Sequence, residues 1–367
     1  MKAWDESARR DERPPDDRAE TLDAIRAAGI DLDPETPADR HRSIAHAADP
    51  DHAADGHAHA PGDPLPAGHV HPHPHSDPAE PPIIGIVGAG AVGTALGLAL
   101  HRAGWPIHAV ASRDPGRRER FRGLVPGARV FADATSLLDE VELIIVAVPD
   151  DAIPRVAGRL QMYAGQAMIH TSGLLGAEVL ASAMAAGTQI GSFHPLVAFA
   201  DTERAVAALH GATIAIEGDD QLSALLGRMA EAIGGVPVRL APGAKGAYHA
   251  AAVLAAGGFV ALLDAIAELG RVAGLDEQGS LAIYGPLIEQ TLGNARVLGI
   301  RAALTGPMTR GDVGTLESHL AALREHAPAV LELYVAAARR EIDLAEARGA
   351  IDDEVAARLR SSLASAP

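Results

Sequence analysis

The sequence predicts an α/β protein built on a doubly wound, mostly parallel sheet, followed by an all-helical domain and preceded by a disordered tail. Three observations predict it. The glycine motif Gly88-Ala89-Gly90-Ala91-Val92-Gly93 follows the β-branched run Ile83-Ile84-Gly85-Ile86-Val87. Short apolar runs then alternate with helical stretches as far as Leu240. Beyond Pro242 the strand-like runs stop and helical periodicity continues to the end. The expected boundaries are a tail over 1–81, a nucleotide-binding domain over 82–241 and a helical domain over 242–367.

The tail reads as linker. Residues 1–80 hold 18 acidic and 8 basic residues, a net of −10 out of −17 for the 367-residue chain. Proline recurs there, and apart from a possible helix over Thr21–Ala28 nothing would bury enough apolar surface to offset ordering. Nine of the 17 histidines lie there, including His69, His71, His73 and His75. Such a run can bind Zn²⁺ or Ni²⁺, but alternating prolines do not preorganise a tetrahedral site, so no metal is expected.

Composition narrows the function. The acidic balance argues against nucleic acid as a partner. With no cysteine there is neither a disulfide framework nor thiolate chemistry. Met1–Arg18 is charged and lacks a signal-peptide core. The longest uncharged apolar run, Ala250–Leu263, is short, alanine-rich and broken by Gly257 and Gly258, so a buried helix is expected rather than a membrane span. A cytoplasmic protein with no membrane partner is the reading.

Each element of the first domain then follows. In the strand–turn–helix, Gly88 permits the tight turn, Gly90 lets backbone approach a pyrophosphate, and Gly93 lets the helix, Thr94–Ala103, pack on the strand. The phosphates would sit on free N–H groups around Ala89, Ala91 and Val92. Gly104 ends the helix. The second strand, Trp105–Ala111, ends in Ser112-Arg113-Asp114, where the adenosine ribose is met in this fold. Ser112 and Arg113 suit the 2′-phosphate of NADP(H), with Arg117 and Arg118 as helpers, while Asp114 one residue on would suit the 2′-hydroxyl of NAD. Ala128–Phe131 is a third strand, and Glu142–Val148 a buried fourth, running into Val148-Pro149-Asp150-Asp151 beside the cofactor. The fifth, Gln166–Ile169, ends in His170-Thr171-Ser172-Gly173. The sixth, Gln189–Phe193, ends in His194-Pro195-Leu196. Two neighbouring strands that end in Ser172 and His194 at the cofactor edge mark a candidate substrate site. Thr213–Ile216 and Val236–Leu240 complete the sheet.

The helical part opens with Pro242 in a first turn and a long apolar helix, Gly243–Arg271, read as the spine of a second domain or the core of a homodimer. Lys245 and His249 share one face of it, and Lys245 is the only lysine besides Lys2. Further helices are expected at Glu277–Ile283, Pro286–Leu298, Thr315–Glu325 and Ala329–Arg348. The Gly/Pro loop between them carries Arg310 and Asp312, which can pair with each other, or Arg310 can clamp a carboxylate.

These strings together resemble a bacterial family of Rossmann-like proteins with a C-terminal helical domain of unknown function, within the 6-phosphogluconate dehydrogenase-like superfamily. The resemblance rests on the glycine motif, Ser112-Arg113, Val148-Pro149-Asp150-Asp151, His170-Thr171-Ser172-Gly173, His194-Pro195-Leu196, Tyr248-His249-Ala250-Ala251-Ala252 and Thr305-Gly306-Pro307 through Arg310-Gly311-Asp312. It covers about residues 83–340. It implies a Rossmann domain followed by an all-α domain, and an NADPH-dependent oxidoreductase. Some members look like an alternative ketopantoate reductase, which implies a small 2-oxo acid as substrate. In that reading His249 or Lys245 donates a proton, Ser172 and His194 position the carbonyl, and Arg310 binds the carboxylate with Asp312 beside it. The family usually has Asn eight residues after the histidine of Tyr-His, where this chain has Gly257. Alternatives are an imine reductase of the pyrroline-5-carboxylate type, a dehydrogenase running oxidatively, and a non-catalytic NADP(H) sensor or scaffold.

The tail composition makes one expectation testable. Removal of residues 1–80 should leave melting temperature and turnover unchanged, because nothing in the segment can pack a core. A drop of several degrees would show that it docks.

Overall fold

The computed structural model describes residues 80–241 and 243–364. The tail with its histidines and its possible helix at Thr21–Ala28 lies outside the described residues, as does Pro242. The chain divides into two compact units between Ala252 and Val253.

In the first unit eight strands form one sheet in the order β3-β2-β1-β4-β5-β6-β7-β8. They are β1 (Ile84–Val87), β2 (Ile107–Ala111), β3 (Arg129–Phe131), β4 (Leu143–Val146), β5 (Ala167–His170), β6 (Gln189–Pro195), β7 (Thr213–Glu217) and β8 (Val236–Arg239). Every expected strand is present, with ends shifted by one or two residues. All neighbouring pairs are parallel except β6 with β7. Parallel strands are covered on both faces, and β1 and β4 are buried at every position.

Helix α1 (Ala91–Arg102) lies on the sheet and buries Gly93 to Leu100 without a break. Gly97 explains how it packs so closely: a Cβ there would stand 2.6 Å from the Phe121 ring. Phe121 is itself fully buried in α2 (Pro115–Leu124). Helix starts are repeatedly capped by aspartate. Asp114, Asp201, Asp219, Asp276, Asp312 and Asp352 each accept a hydrogen bond from the backbone N–H three residues on. Part of the chain's acidity thus neutralises the positive ends of helices.

The apolar spine runs from Lys245 to Val272 as α3 (Lys245–Val253), a π-helical turn (Leu254–Gly258) and α4 (Phe259–Val272). It starts two residues later than the sequence suggested. Its burial differs more. Val253, Leu254, Val260 and Val272 are exposed within one chain, and among the residues of α4 only Ala265, Ala267 and Gly270 are buried. By length and composition this helix could cross a membrane.

The second unit continues with α5 (Glu277–Leu298), α6 (Val313–His326), α7 (Pro328–Ala347) and α8 (Asp353–Ala364). Helix α5 runs through Pro286, where two helices were expected. Proline removes one backbone donor, and the nine residues before it are already started by the Asp276 cap, so the loss does not end the helix. Helix α8 lies in the stretch read as helical but was not named as a separate helix; its Ala356, Leu359 and Leu363 close the core around Leu316, Leu320 and Ile342. On α5, Ile283, Leu287, Leu292 and Val297 are exposed.

We propose that a second copy of the chain covers this apolar face, since so much contiguous exposed aliphatic surface is unusual on a monomer. Light scattering in detergent-free buffer should give twice the chain mass. A monomer, or partition into liposomes, would overturn the dimer.

Candidate active site

The carboxyl ends of the parallel strands in the first unit form a cleft of about 1250 Å³. Its floor is the glycine turn. Gly88 has φ +112°, and a Cβ there would lie 2.2 Å from the Ala147 carbonyl oxygen. A Cβ on Gly93 would lie 2.0 Å from the Gly88 oxygen. Both positions therefore require glycine. Gly90 is different: nothing stands within 4 Å of its Cβ position, so the space above it is open. Gly90 is also the N-cap of α1 and supplies no side-chain cap. The N–H groups at Ala91, Val92 and Gly93 are thus left for an anion at the positive end of the helix. This fits a pyrophosphate.

Around this floor, Ala89, Val148, Pro149, Ser112, Arg113 and Arg117 line the cleft. Asp114 lines it too and also caps the next helix. Its Oδ1 accepts from the Arg117 N–H at 3.0 Å, which holds the carboxyl below its usual range. Arg118 donates to the carbonyls of Ser112 (2.5 Å) and Arg113 (3.1 Å), pinning the loop and not the ligand. Arg113, Asp114 and Arg117 all line the cleft wall, and the Arg117 guanidinium faces Asp114 Oδ2 at 3.6 Å.

Asp150, which the sequence placed with the cofactor, turns to the next strand end. Its Oδ2 accepts from Ser172 Oγ at 2.8 Å. That hydroxyl also accepts the N–H groups of Leu174 and Leu175. Ser172 therefore shapes the loop after β5. His170 is fully buried; its ring contacts the Gly176 carbonyl through Nε2 and the Ser172 N–H through Nδ1. Burial, and then the Lys245 charge, push its pKa down to about 4, so it is neutral.

A polar row crosses the sheet at this level. His170, Ser192 and Glu217 are ladder neighbours on β5, β6 and β7. Lys245 sits on that row, 7 % exposed. Its ammonium donates to Glu217 Oε2 (2.7 Å), to Ser192 Oγ (2.9 Å) and to the Leu175 carbonyl. Burial would raise the Glu217 carboxyl, but hydrogen bonds from Lys245 and Ser192 outweigh it and hold it low.

One turn further along the helix, His249 meets His194. Their ring centroids are 5.8 Å apart, and the Tyr248 ring also lies 5.8 Å from His194, both edge-on. A Cβ on Gly173 would lie 2.4 Å from His249 Nδ1 and 2.6 Å from His194 Nε2, so both nitrogens crowd the same glycine. Burial, and then His249 and Lys245, lower the His194 pKa to about 4, and burial raises Tyr248 to about 12. His194 Nδ1, His249 Nδ1 and the Tyr248 hydroxyl are buried without a protein partner. Orphaned polar atoms grouped in this way call for a polar ligand. Among the described residues no cluster suited to a metal ion occurs.

The structure thus unites Ser172, His194, Lys245 and His249. Arg310 and Asp312 belong to the second unit. There Asp312 caps α6 with both oxygens on Thr315, and Arg310 is exposed. Sequence reasoning missed Glu217, Ser192 and the role of Gly173. A carboxylate ending an apolar strand, in a chain with one lysine beyond the tail, was the available signal.

Comparisons agree with this architecture. Residues 72–195 match the Rossmann-like domain, and residues 212–341 match a domain of unknown function, DUF2520. None of the curated proteins matches the sequence. A Bacteroides fragilis protein assigned as an NADP oxidoreductase is 25 % identical over 72 % of this chain and 98 % of its own, with a TM-score of 0.61. A Thermotoga maritima protein is 26 % identical over 72 % of this chain and all of its own, with a TM-score of 0.60. The 1-pyrroline-5-carboxylate reductase of Streptococcus pyogenes shares the fold at 17 % identity and a TM-score of 0.52, over 72 % of this chain and 98 % of its own.

The two depressed histidines set a pH dependence. Each takes its proton near pH 4 when folded and near 6.5 when unfolded. The folded chain holds fewer protons in that window, so stability is full above about 6.5 and falls as the pH drops towards 4. Melting temperatures across this range should fall less steeply in His170→Asn than in the wild type. Equal slopes would refute the assignment.

Proposed function

We propose that this chain, which matches a Rossmann-like domain and DUF2520, is an NADP(H)-dependent oxidoreductase that reduces a small carbonyl compound beside Gly173. The observation that carries the reading is the adjacency of the two halves of the site. The cofactor cleft is lined as far as Thr171, and two residues later His249 Nδ1, which has no protein partner, and His194 Nε2 meet at Gly173, with the Tyr248 ring packed on His194. The Bacteroides relative and the uncapped N–H groups above Gly90 support NADP as the cofactor. Arg113 on the cleft wall suits its 2′-phosphate, with Arg117 beside it partly balanced by Asp114.

The cofactor, when bound, supplies hydride to the electrophilic carbon. The chain supplies the rest. An ammonium has three N–H donors, and Lys245 has three acceptors, so no N–H is left for a substrate. Of the two expected donors, His249 is therefore the one that hands its proton to the developing alkoxide oxygen. Tyr248, protonated at neutral pH, and neutral His194 hold that oxygen by hydrogen bonds. Ser172 acts by shaping the loop and not by touching the carbonyl.

The finer reading is a 2-oxo acid such as ketopantoate; the family resemblance supports it. An imine acceptor is the second reading. It is favoured by the Asp150 carboxylate on Ser172, which places negative charge next to Gly173 and suits a protonated C=N group. The protein acts in the cytoplasm as a homodimer in either case.

The test is NADPH oxidation with ketopantoate, with pyrroline-5-carboxylate and with other oxo acids and imines. Turnover with an oxo acid supports the first reading and turnover with imines alone the second. NADPH binding without any turnover would leave a sensor. Arg113→Ala should weaken NADPH by about 1–3 kcal/mol and leave NADH nearly unchanged, as expected for a charged hydrogen bond to one phosphate. Equal losses for both cofactors would remove the 2′-phosphate assignment.

A further inference from the structure

The group that hydride transfer does not use is the buried Lys245 and Ser192 with half-buried Glu217. Its three contacts reach three separate pieces of the sheet: the Leu175 carbonyl after β5, Ser192 on β6 and Glu217 on β7. Ser192 Oγ donates in turn to Glu217 Oε2 at 2.7 Å.

The spacing along the two elements is matched. Ser192 and His194 are two apart on β6, so their side chains share a face about 7 Å apart. Lys245 and His249 are four apart on α3, so theirs share a face about 6 Å apart. Lys245 meets Ser192 at one end and His249 meets His194 at the other. The first contact therefore sets the register of the second.

We infer that Glu217 is a positioning residue: by holding Lys245 on the β5–β6–β7 row it fixes the first turn of α3 and so places His249 beside His194 over Gly173. Glu217 works here as an anchor for a cation. Without it the buried ammonium keeps only two neutral acceptors, and its desolvation is no longer offset. The first turn of α3 would then shift to reach water, and His249 would leave its place one turn on. What His249 does there rests on the reductase reading; that it is placed there does not.

Two measurements on Glu217→Gln test this, with Glu217→Asp as a milder variant if the first fails to fold. The first reads the imidazole rings of the histidine-labelled protein by NMR. The wild type should show a ring–ring NOE between His194 and His249. Glu217→Gln should lose it, and Glu217→Asp should weaken it. Lys245→Met should move the His170 titration upward from about pH 4, because Lys245 is the cation facing that ring, while Glu217 and Asp150 are the anions. Glu217→Gln should not raise it. The second reads kinetics with NADPH and the best acceptor of the panel. In Glu217→Gln, kcat should fall at least tenfold while the Kd for NADPH stays within twofold. An unchanged NOE, or a kcat loss matched by an equal loss of NADPH binding, would overturn the inference. If the wild type turns over no acceptor, the reductase reading fails, and the NOE alone decides whether Glu217 positions His249.

Discussion

The site depends on one buried cation. Lys245 is the only lysine of the described residues, and a desolvated ammonium costs several kcal/mol unless it is paired and hydrogen-bonded. The requirement is met by three acceptors on three segments of the sheet. That single need ties the antiparallel turn-back at β6–β7 to the loop after β5 and to the start of the long helix. The polar row His170–Ser192–Glu217 is the continuation, across the sheet, of the apolar row Val87–Val146. The change from apolar to polar along one row divides the end that receives a dinucleotide from the end that gathers imidazoles.

Much of the first unit was legible from sequence, because the forces involved are local. Gly88, Gly90 and Gly93 mark a turn where backbone meets backbone, and the β-branched runs have few other places to go. The helical unit was less legible. Pro286 suggested a break that the Asp276 cap makes unnecessary. Helix α8 is charged enough to look like solvent, and its buried positions, Ala356, Leu359 and Leu363, are few and small or spaced. In the site, Ser172, His194, Lys245 and His249 come from motifs that the sequence shows, whereas their hydrogen-bond partners do not. Ser172 and Asp150, read as carbonyl-positioning and cofactor-binding residues, satisfy each other instead. Glu217 carries no motif, and its importance appears only when β7 is laid beside β6.

The aspartates show how one residue type is spent twice. A chain of net charge −17 would repel itself if its carboxylates were spread at random. Here many stand at N-caps, where each satisfies a backbone donor and faces the positive end of a dipole. The helix start above Gly90 departs from this habit and has no capping side chain. Its first turn carries no acidic side chain, which leaves that end of the dipole for a foreign anion.

The π-helical turn at Leu254–Gly258 has a consequence for how this chain is compared with others. Such a turn holds one residue more than an α-turn between the same two ends. Since each residue turns a helix by about 100°, a relative lacking the extra residue would carry every later side chain of α4 a quarter-turn or so around the axis. Counting from His249 to a position eight residues on therefore crosses a change of phase. The residue that fills a relative's place in space need not be the one that fills its place in the count, and Gly257 is a neighbour in number before it is a counterpart in function.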